Sequence, residues 1–200
     1  MTERVIEPAV ENPPHVFTQA HIGWTPWLEP LPEADLTDRH HTALVDPSRA
    51  KSPYFMLLAR DPDILEARTR TDKDIFYNTK DGLPRADREL AATAVSRTNG
   101  CIFCASVHSR FAAQFSKQPD AVQRLLDIGL AAPLDPRWAA IAAASAVLTA
   151  TPPAFTSAHV AQLREAGFDD AEISDIIHAA AFFNWANRLM LSLGEPTPAP

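Results

Sequence analysis

Runs of basic residues are absent from this chain of 200 residues. Lys and Arg together number 18 against 25 Asp and Glu, which gives a formal net charge of −7 at pH 7. Nucleic acids and anionic membrane surfaces attract proteins through clustered positive charge. Without such a cluster, neither a nucleic acid nor a membrane is expected as a partner of this protein.

Long apolar runs are also absent. The first residues, MTERVIEPAVENPP, include no apolar stretch of the length found in a signal peptide. No window of the sequence approaches the roughly 18 apolar residues that a membrane-spanning helix requires. The sequence therefore predicts a cytoplasmic protein.

The sequence also lacks the alternation of apolar and polar residues that is typical of strands. From residue 33 onward it contains helix start and stop signals instead. We expect helices over 62–78, 84–98, 101–117, 119–128, 136–150, 157–167 and 170–193. The hydrophobic content of 46% is enough for one buried core. The predicted fold is therefore all-α, a single compact helical bundle over residues 33–200.

Prolines set residues 1–32 apart from this bundle. A long helix is precluded there by prolines at positions 8, 13, 14, 26, 30 and 32. Phe17, Trp24 and Trp27 are large apolar side chains of a kind that a disordered tail rarely carries. We predict an extended N-terminal arm that packs on its own core or on a neighbouring subunit, and a loose tail is the alternative.

The last predicted helix is apolar around most of its circumference, which predicts burial on most sides. A subunit interface and a central core helix both explain this pattern, and we expect a homo-oligomer. Asn184, Asn187 and Arg188 are polar groups of the same helix that need partners if they are buried. They are candidates for fixing such an interface.

Cysteine is scarce, and its placement is the strongest chemical signal in the sequence. Cys101 and Cys104, the only two cysteines, form a C-x-x-C motif, and His108 follows four residues later. On a helix that begins at Cys101, these three side chains lie within about 60° on one face. A thiol near a helix N-terminus is stabilised as the thiolate, so the pair can cycle between dithiol and disulfide.

Glu89 is a carboxylate twelve residues before Cys101, too far along an unbroken helix to reach this face. Asn99 and Gly100 lie between them, and such a pair commonly ends a helix and turns the chain. The helix carrying Glu89 can then fold back against the helix carrying the cysteines. We therefore expect Glu89 to reach His108, although an ordinary carboxylate in the first turn of a helix is the alternative.

The pattern formed by Glu89, Cys101, Cys104 and His108 resembles the active-site signature of the alkyl hydroperoxidase D-like branch of the carboxymuconolactone decarboxylase superfamily. The segments DIFYNTKDGLPRADRELAATAVSRTNGCIFCASVHSRF and AFFNWANRLMLSLGEP resemble the peroxidase-related group of that superfamily. The resemblance covers roughly residues 40 to 195. It implies an all-helical bundle that assembles as trimers or hexamers.

The resemblance also implies thiol peroxidation, which needs no cofactor or metal but needs a dithiol protein or small thiol as reductant. In the family pattern Cys104 is the peroxidatic cysteine, Cys101 resolves the sulfenic acid, and Glu89 with His108 relays protons. The residues alone leave the two thiol roles open, because Cys101 is nearer the helix N-terminus and Cys104 is nearer His108. Phe103 stands where the family pattern has a histidine, so one possible proton carrier is missing.

Three alternatives remain at this stage. Two thiolates, His108 and Glu89 form an acceptable ligand set for zinc. A lyase of the carboxymuconolactone decarboxylase type and a non-catalytic thiol-disulfide sensor are the other two. Residues expected near the site are Tyr77, Asn78, Ile102, Phe103 and Val107.

Overall fold

The computed structural model describes residues 5–8, 11–78 and 80–199, so residues 1–4, 9 and 10 of the predicted arm lie outside the described part. The described residues form helices α1 (Asp38–Leu44), α2 (Pro53–Leu58), α3 (Pro62–Tyr77), α4 (Arg85–Thr98), α5 (Ile102–Ser116), α6 (Pro119–Ile128), α7 (Pro136–Leu148), α8 (Ser157–Glu165) and α9 (Asp170–Leu193). Strands β1 (Gly23–Pro26) and β2 (Gly194–Thr197) complete the fold. The predicted all-α class is confirmed.

Side-chain caps explain where several helices begin. The carboxylate of Asp61 accepts a hydrogen bond from the backbone N–H of Ile64 at the start of α3. Asp169 and Glu172 cap α9 reciprocally, each side chain accepting from the other residue's backbone N–H. These contacts satisfy N–H groups that a helix start leaves free, and they place the boundaries where the sequence predicts them.

Helix α4 lies at the centre of the bundle and packs against α3, α5, α7 and α9. Every residue from Arg88 to Ser96 is buried, which requires neighbours on all sides of that stretch. The sequence instead predicts burial on most sides for the last helix, α9. In α9, Phe183 and Met190 face the core, but Trp185 is 42% exposed and Leu191 is 40% exposed.

The two short strands are absent from the sequence prediction, in which Gly194 only ends the last helix. In the structure β1 pairs with β2 in antiparallel register, with Trp24 opposite Pro196. Each strand has only four residues, too few to produce a pattern of alternation. Gly194 permits the pairing because a Cβ there would collide with the Trp24 ring and the Thr25 carbonyl.

The described part of the arm packs on the core of its own chain. The Trp24 side chain is 8% exposed and meets the ring of Tyr54 edge to face, with 5.8 Å between the ring centroids. The backbone N–H of Trp27 donates to the carbonyl of Leu193 at 2.7 Å. The arm is thus anchored to both α2 and the end of α9. Among the described helices, none is long and apolar enough to cross a membrane.

Candidate active site

A tight turn between α4 and α5 brings the sequence motif together. Helix α4 ends at Thr98, Gly100 takes a left-handed conformation at φ +78°, and α5 folds back against α4. The backbone N–H of Cys101 donates to the Ser96 carbonyl at 2.9 Å, which closes the turn. Cys101 therefore sits at the N-terminal cap of α5, as the sequence predicts.

Glu89 and His108 face each other across this helix pair. Oε2 of Glu89 lies 2.6 Å from Nδ1 of His108, and the two residues are 1% and 9% exposed. The contact that the sequence predicts is present in the structure. Because Nδ1 is engaged by the carboxylate, Nε2 is the ring nitrogen left for other partners.

Two phenylalanine rings fix the plane of the imidazole. The centroid of His108 lies 3.9 Å from that of Phe183 and 5.4 Å from that of Phe76. Phe183 belongs to α9 and Phe76 to α3, so the imidazole is held by two further helices in addition to its hydrogen bond with Glu89 of α4. Such a ring has little freedom to rotate, which orients its free nitrogen.

Arg85 is a second partner of Glu89 that the sequence interpretation missed. Its Nε donates to Oε1 of Glu89 at 3.1 Å, one turn away on α4. The guanidinium carbon lies 4.1 Å from the ring centroid of Tyr77 and 4.3 Å from that of Phe115. Both carboxylate oxygens therefore have a nitrogen partner, as a buried carboxylate requires. The i, i+4 spacing of Arg and Glu is the signal that could have found it.

The two cysteines are free thiols that share a hydrogen bond. Cys101 is 2% exposed and Cys104 is 5% exposed. The thiol of Cys104 donates to Cys101, which lowers the pKa of Cys101, and the backbone N–H of Cys104 adds to this effect. The same hydrogen bond, together with burial, raises the pKa of Cys104 well above its ordinary value. The first thiolate of the pair therefore forms on Cys101.

Asn187 of α9 is a further site residue that sequence reasoning missed. Its side chain contacts both cysteines and lowers the pKa of each thiol. Its Nδ2 donates to Ser96 Oγ at 3.0 Å, and its Oδ1 accepts from Asn99 Nδ2 at 3.1 Å. This fully buried amide lies inside the bundle and not at a surface, so it cannot serve the subunit interface considered for it from sequence.

Asn184 and Arg188 also have partners within the chain. The side-chain carbonyl of Asn184 accepts from Asn99 and from Arg188, and Arg188 donates to Thr151 Oγ1 at 3.0 Å. Both residues therefore extend the network around the α4–α5 turn.

A cavity of about 400 Å³ opens beside the motif. Cys104, His108 and Glu89 line one wall, whereas Cys101 is not among the lining residues. The apolar surface comes from Phe76, Phe103, Val107, Phe111, Phe183 and Met190, and the polar surface includes Ser52, Tyr54, Arg68 and Asp72. The volume and the mixture of surfaces suit a small organic molecule.

Residues expected near the site divide into two groups. Tyr77, Phe103 and Val107 line the cavity, as the sequence predicts. Asn78 and Ile102 do not contribute to its wall. The backbone carbonyl of Asn78 instead accepts a hydrogen bond from Nη1 of Arg88 at 3.0 Å.

The ligand set that zinc requires is not assembled. Among the described residues, no three His, Cys, Asp or Glu side chains are grouped so that they could hold a metal ion. Glu89 and His108 are engaged with each other, and the two thiols with each other. The geometry therefore gives no support to the zinc alternative.

Comparisons with known proteins agree with this architecture. Residues 62–146 match the model of the carboxymuconolactone decarboxylase family, a segment that contains all four motif residues. A comparison with curated proteins found no match.

Solved structures provide the most extensive likenesses. One similar structure is the alkylhydroperoxidase AhpD core of an uncharacterized peroxidase-related protein from Ralstonia eutropha JMP134. The two sequences are 26% identical, and the structures align with a TM-score of 0.70 over 82% of this chain and 88% of the Ralstonia chain. An uncharacterized peroxidase-related protein from Silicibacter sp. TM1040 is 24% identical, with a TM-score of 0.68 over 95% of each chain. The debrominase Bmp8 is 16% identical, with a TM-score of 0.67 over 82% of this chain and 88% of that one. The last two likenesses show a shared fold.

Proposed function

We propose that this protein, a member of the superfamily that unites carboxymuconolactone decarboxylases with alkylhydroperoxidase D-like proteins, is a thiol-dependent peroxidase that reduces hydroperoxides. One observation carries the proposal. A thiol in the cavity wall, Cys104, shares that wall with an imidazole oriented by a buried carboxylate and forms a hydrogen bond with a second thiol. This arrangement supplies a nucleophile, a proton carrier and a resolving group.

The proposed reaction begins with attack on the peroxide. The Cys104 thiolate attacks the distal oxygen of the hydroperoxide, the O–O bond breaks, and the alkoxide leaves with the electron pair. A proton delivered through His108 converts the alkoxide to an alcohol, and Cys104 becomes a sulfenic acid. Cys101 then attacks the Cys104 sulfur and forms a disulfide, with loss of the oxygen as water. A dithiol reductant returns two electrons and two protons.

Access to the cavity supports Cys104 as the attacking thiol. Cys101 has the lower pKa but does not line the cavity. The Cys101 thiolate accepts the proton of Cys104 in their hydrogen bond, so transfer of that proton places the negative charge on Cys104. A Cys101 of low pKa also suits the later attack on the sulfenic acid.

Partners and location follow from this chemistry as part of the proposal. The substrate is a small hydroperoxide, the reductant is a protein dithiol or small thiol, and a reducing cytoplasm supplies it. A homo-oligomer such as a trimer or hexamer belongs to the proposal because the family resemblance implies it, and the exposed Trp185 of α9 is the side chain that we place in its interface.

The test is a thiol count combined with stopped-flow peroxide consumption by prereduced protein. We expect wild-type protein to lose two thiols per peroxide. Cys104→Ala should be inert, and Cys101→Ala should stop at a sulfenic acid that a dimedone probe captures. Thiols that remain unreacted under excess peroxide in the wild type would overturn the proposal and leave the redox-sensor and lyase alternatives.

A further inference from the structure

Arg68 of α3 lies in the cavity wall with an incomplete set of hydrogen-bond partners. The residue is 9% exposed. Among the described residues, its Nε and Nη1 have no hydrogen-bond partner, and both atoms are closed to water. Its Nη2 reaches Asp72 Oδ1 only at 3.5 Å, the outer limit of a hydrogen bond. A buried guanidinium with so little compensation is costly unless a bound ligand completes it.

Aromatic rings hold Arg68 in place without satisfying it. The guanidinium carbon lies 5.3 Å from the ring centroid of Phe182, 5.4 Å from that of Phe55 and 5.8 Å from that of Tyr54. Cation–π contacts use the ring faces and supply no acceptor for the in-plane N–H groups of the guanidinium. The side chain is therefore held in place, and Nη2, which reaches Asp72 only at 3.5 Å, is the donor that a ligand in the cavity can engage.

Tyr54 provides a second donor beside Arg68. Burial raises the pKa of Tyr54 to about 12, so its phenol stays protonated at neutral pH. Arg68 donates to the phenol oxygen, which leaves the phenol's own proton for an acceptor in the cavity. A phenol and a guanidinium side by side match the two oxygens of a carboxylate.

Two of the acidic residues that line the cavity are engaged by groups other than Arg68. Glu89 is paired with Arg85 and His108. Asp46 accepts from the backbone N–H and the hydroxyl of Ser48. The third acidic residue, Asp72, contacts Arg68 through its long contact to Nη2. A ligand carboxylate can replace Asp72 in this contact.

We propose that Arg68 and Tyr54 bind the carboxylate of an organic hydroperoxide whose apolar body lies against Phe76, Phe103 and Phe183 and whose peroxide group reaches Cys104. The inference rests on the proposed peroxidase function and narrows its substrate to hydroperoxides of carboxylic acids. Arg68 and Cys104 line the same cavity, so one small molecule can touch both. The carboxylate would replace the long contact between Nη2 and Asp72 with a shorter one.

Binding can be tested without any turnover. Hexanoate and hexanol share one chain length and differ in the carboxylate, so calorimetric titration of reduced full-length protein isolates the charged group. We expect wild-type protein to bind hexanoate at least about tenfold more tightly than hexanol. Arg68→Gln should remove that preference, and Tyr54→Phe should weaken it. Equal affinity of wild-type protein for the two compounds would overturn the proposal.

Matched variants separate the site from general charge effects. Arg70→Gln removes a positive charge from the same helix at a side chain that is 62% exposed, and it should leave hexanoate binding unchanged. Should Arg68→Gln fail to fold, Arg68→Lys keeps the charge but loses the planar donor pair, and it should reduce the hexanoate preference. If Arg70→Gln lost as much hexanoate affinity as Arg68→Gln, the result would contradict a specific carboxylate site.

Turnover distinguishes this inference from the proposed function. We expect kcat/KM for a carboxylate-bearing hydroperoxide to exceed that for tert-butyl hydroperoxide, with the difference lost in Arg68→Gln. Hexanoate binding without any peroxide turnover would refute the peroxidase and keep the carboxylate site. Turnover of both peroxides at equal rates, with no hexanoate preference, would refute the site and keep the peroxidase.

Discussion

Glu89 Oε2 and His108 Nδ1 lie 2.6 Å apart across the α4–α5 hairpin, at a sequence separation of 19 residues. The imidazole is thereby fixed in one orientation by a carboxylate that is itself nearly inaccessible to water. In the proposed mechanism, this pairing makes His108 a directed proton carrier for the neighbouring cavity.

Replacing Glu89 with Gln should lower peroxidase kcat/KM by roughly 10- to 100-fold, because the histidine loses the carboxylate that orients its ring. The change keeps the side-chain shape, so the melting temperature should move less than the rate. Glu165→Gln, at an exposed position of α8, is the matched control and should be silent. Wild-type rates in Glu89→Gln would remove the carboxylate from the mechanism.

Arg85→Met should destabilise the protein by about 1–3 kcal/mol, because Oε1 of Glu89 would be left buried without a donor. Arg85→Lys keeps a positive charge within reach and should recover part of the loss. Chemical denaturation measures both variants. An unchanged unfolding free energy in Arg85→Met would show that the carboxylate finds another partner.

The two thiols should ionise in two separate steps as the pH rises. The first thiolate should form on Cys101, at a pH below that of an ordinary cysteine, because its pKa is lowered by the hydrogen bond from Cys104. Cys104 should ionise only at higher pH, since its pKa is raised. Cys104→Ala removes the donor, so the pKa of Cys101 should rise in that variant. Thiolate absorbance in the ultraviolet measures the titration of wild type and variant, and an unchanged or lower pKa of Cys101 in Cys104→Ala would contradict this order.

Asn187→Ala should raise the pKa of both thiols, because the amide stabilises each thiolate. The ultraviolet absorbance of the thiolate follows the titration directly. Asn184→Ala is the matched control, one turn earlier on α9, since Asn184 bonds to Asn99 and not to a cysteine. A shift of equal size in both variants would indicate a general loosening of α9.

Trp24→Ala should cost about 3–5 kcal/mol of stability, as expected for loss of a large buried aromatic residue. Trp185→Ala, at a side chain that is 42% exposed, should leave monomer stability nearly unchanged and should weaken self-association. Denaturation curves and sedimentation velocity measure the two effects. A stable Trp24→Ala protein would show that the arm contributes little to the core.

Glu89, Cys101, Cys104 and His108 could be brought together from sequence because they occupy one local hairpin. The helix periods and the Asn99–Gly100 turn fix their relation without knowledge of the remaining fold. The expected contact between Glu89 and His108 depended only on these helix periods and on this turn.

Arg68, Tyr54 and Asn187 could not be found in the same way. They lie on α3, α2 and α9, and their approach to the site depends on how separate helices pack, which a single sequence does not reveal. The strand pairing was missed for a related reason, since its register depends on the space left by Gly194 against Trp24.

The β1–β2 pairing also constrains the order in which parts of the chain can fold during translation. β1 precedes all of the helices described above, and its partner strand follows α9, so Trp24 cannot be locked in place until translation has passed Thr197. Helix α9, which brings Asn187 to the thiols, is made in the same late stage. The cysteine pair is therefore synthesised before Asn187, and the contact of Asn187 with both thiols can form only after α9 has been made.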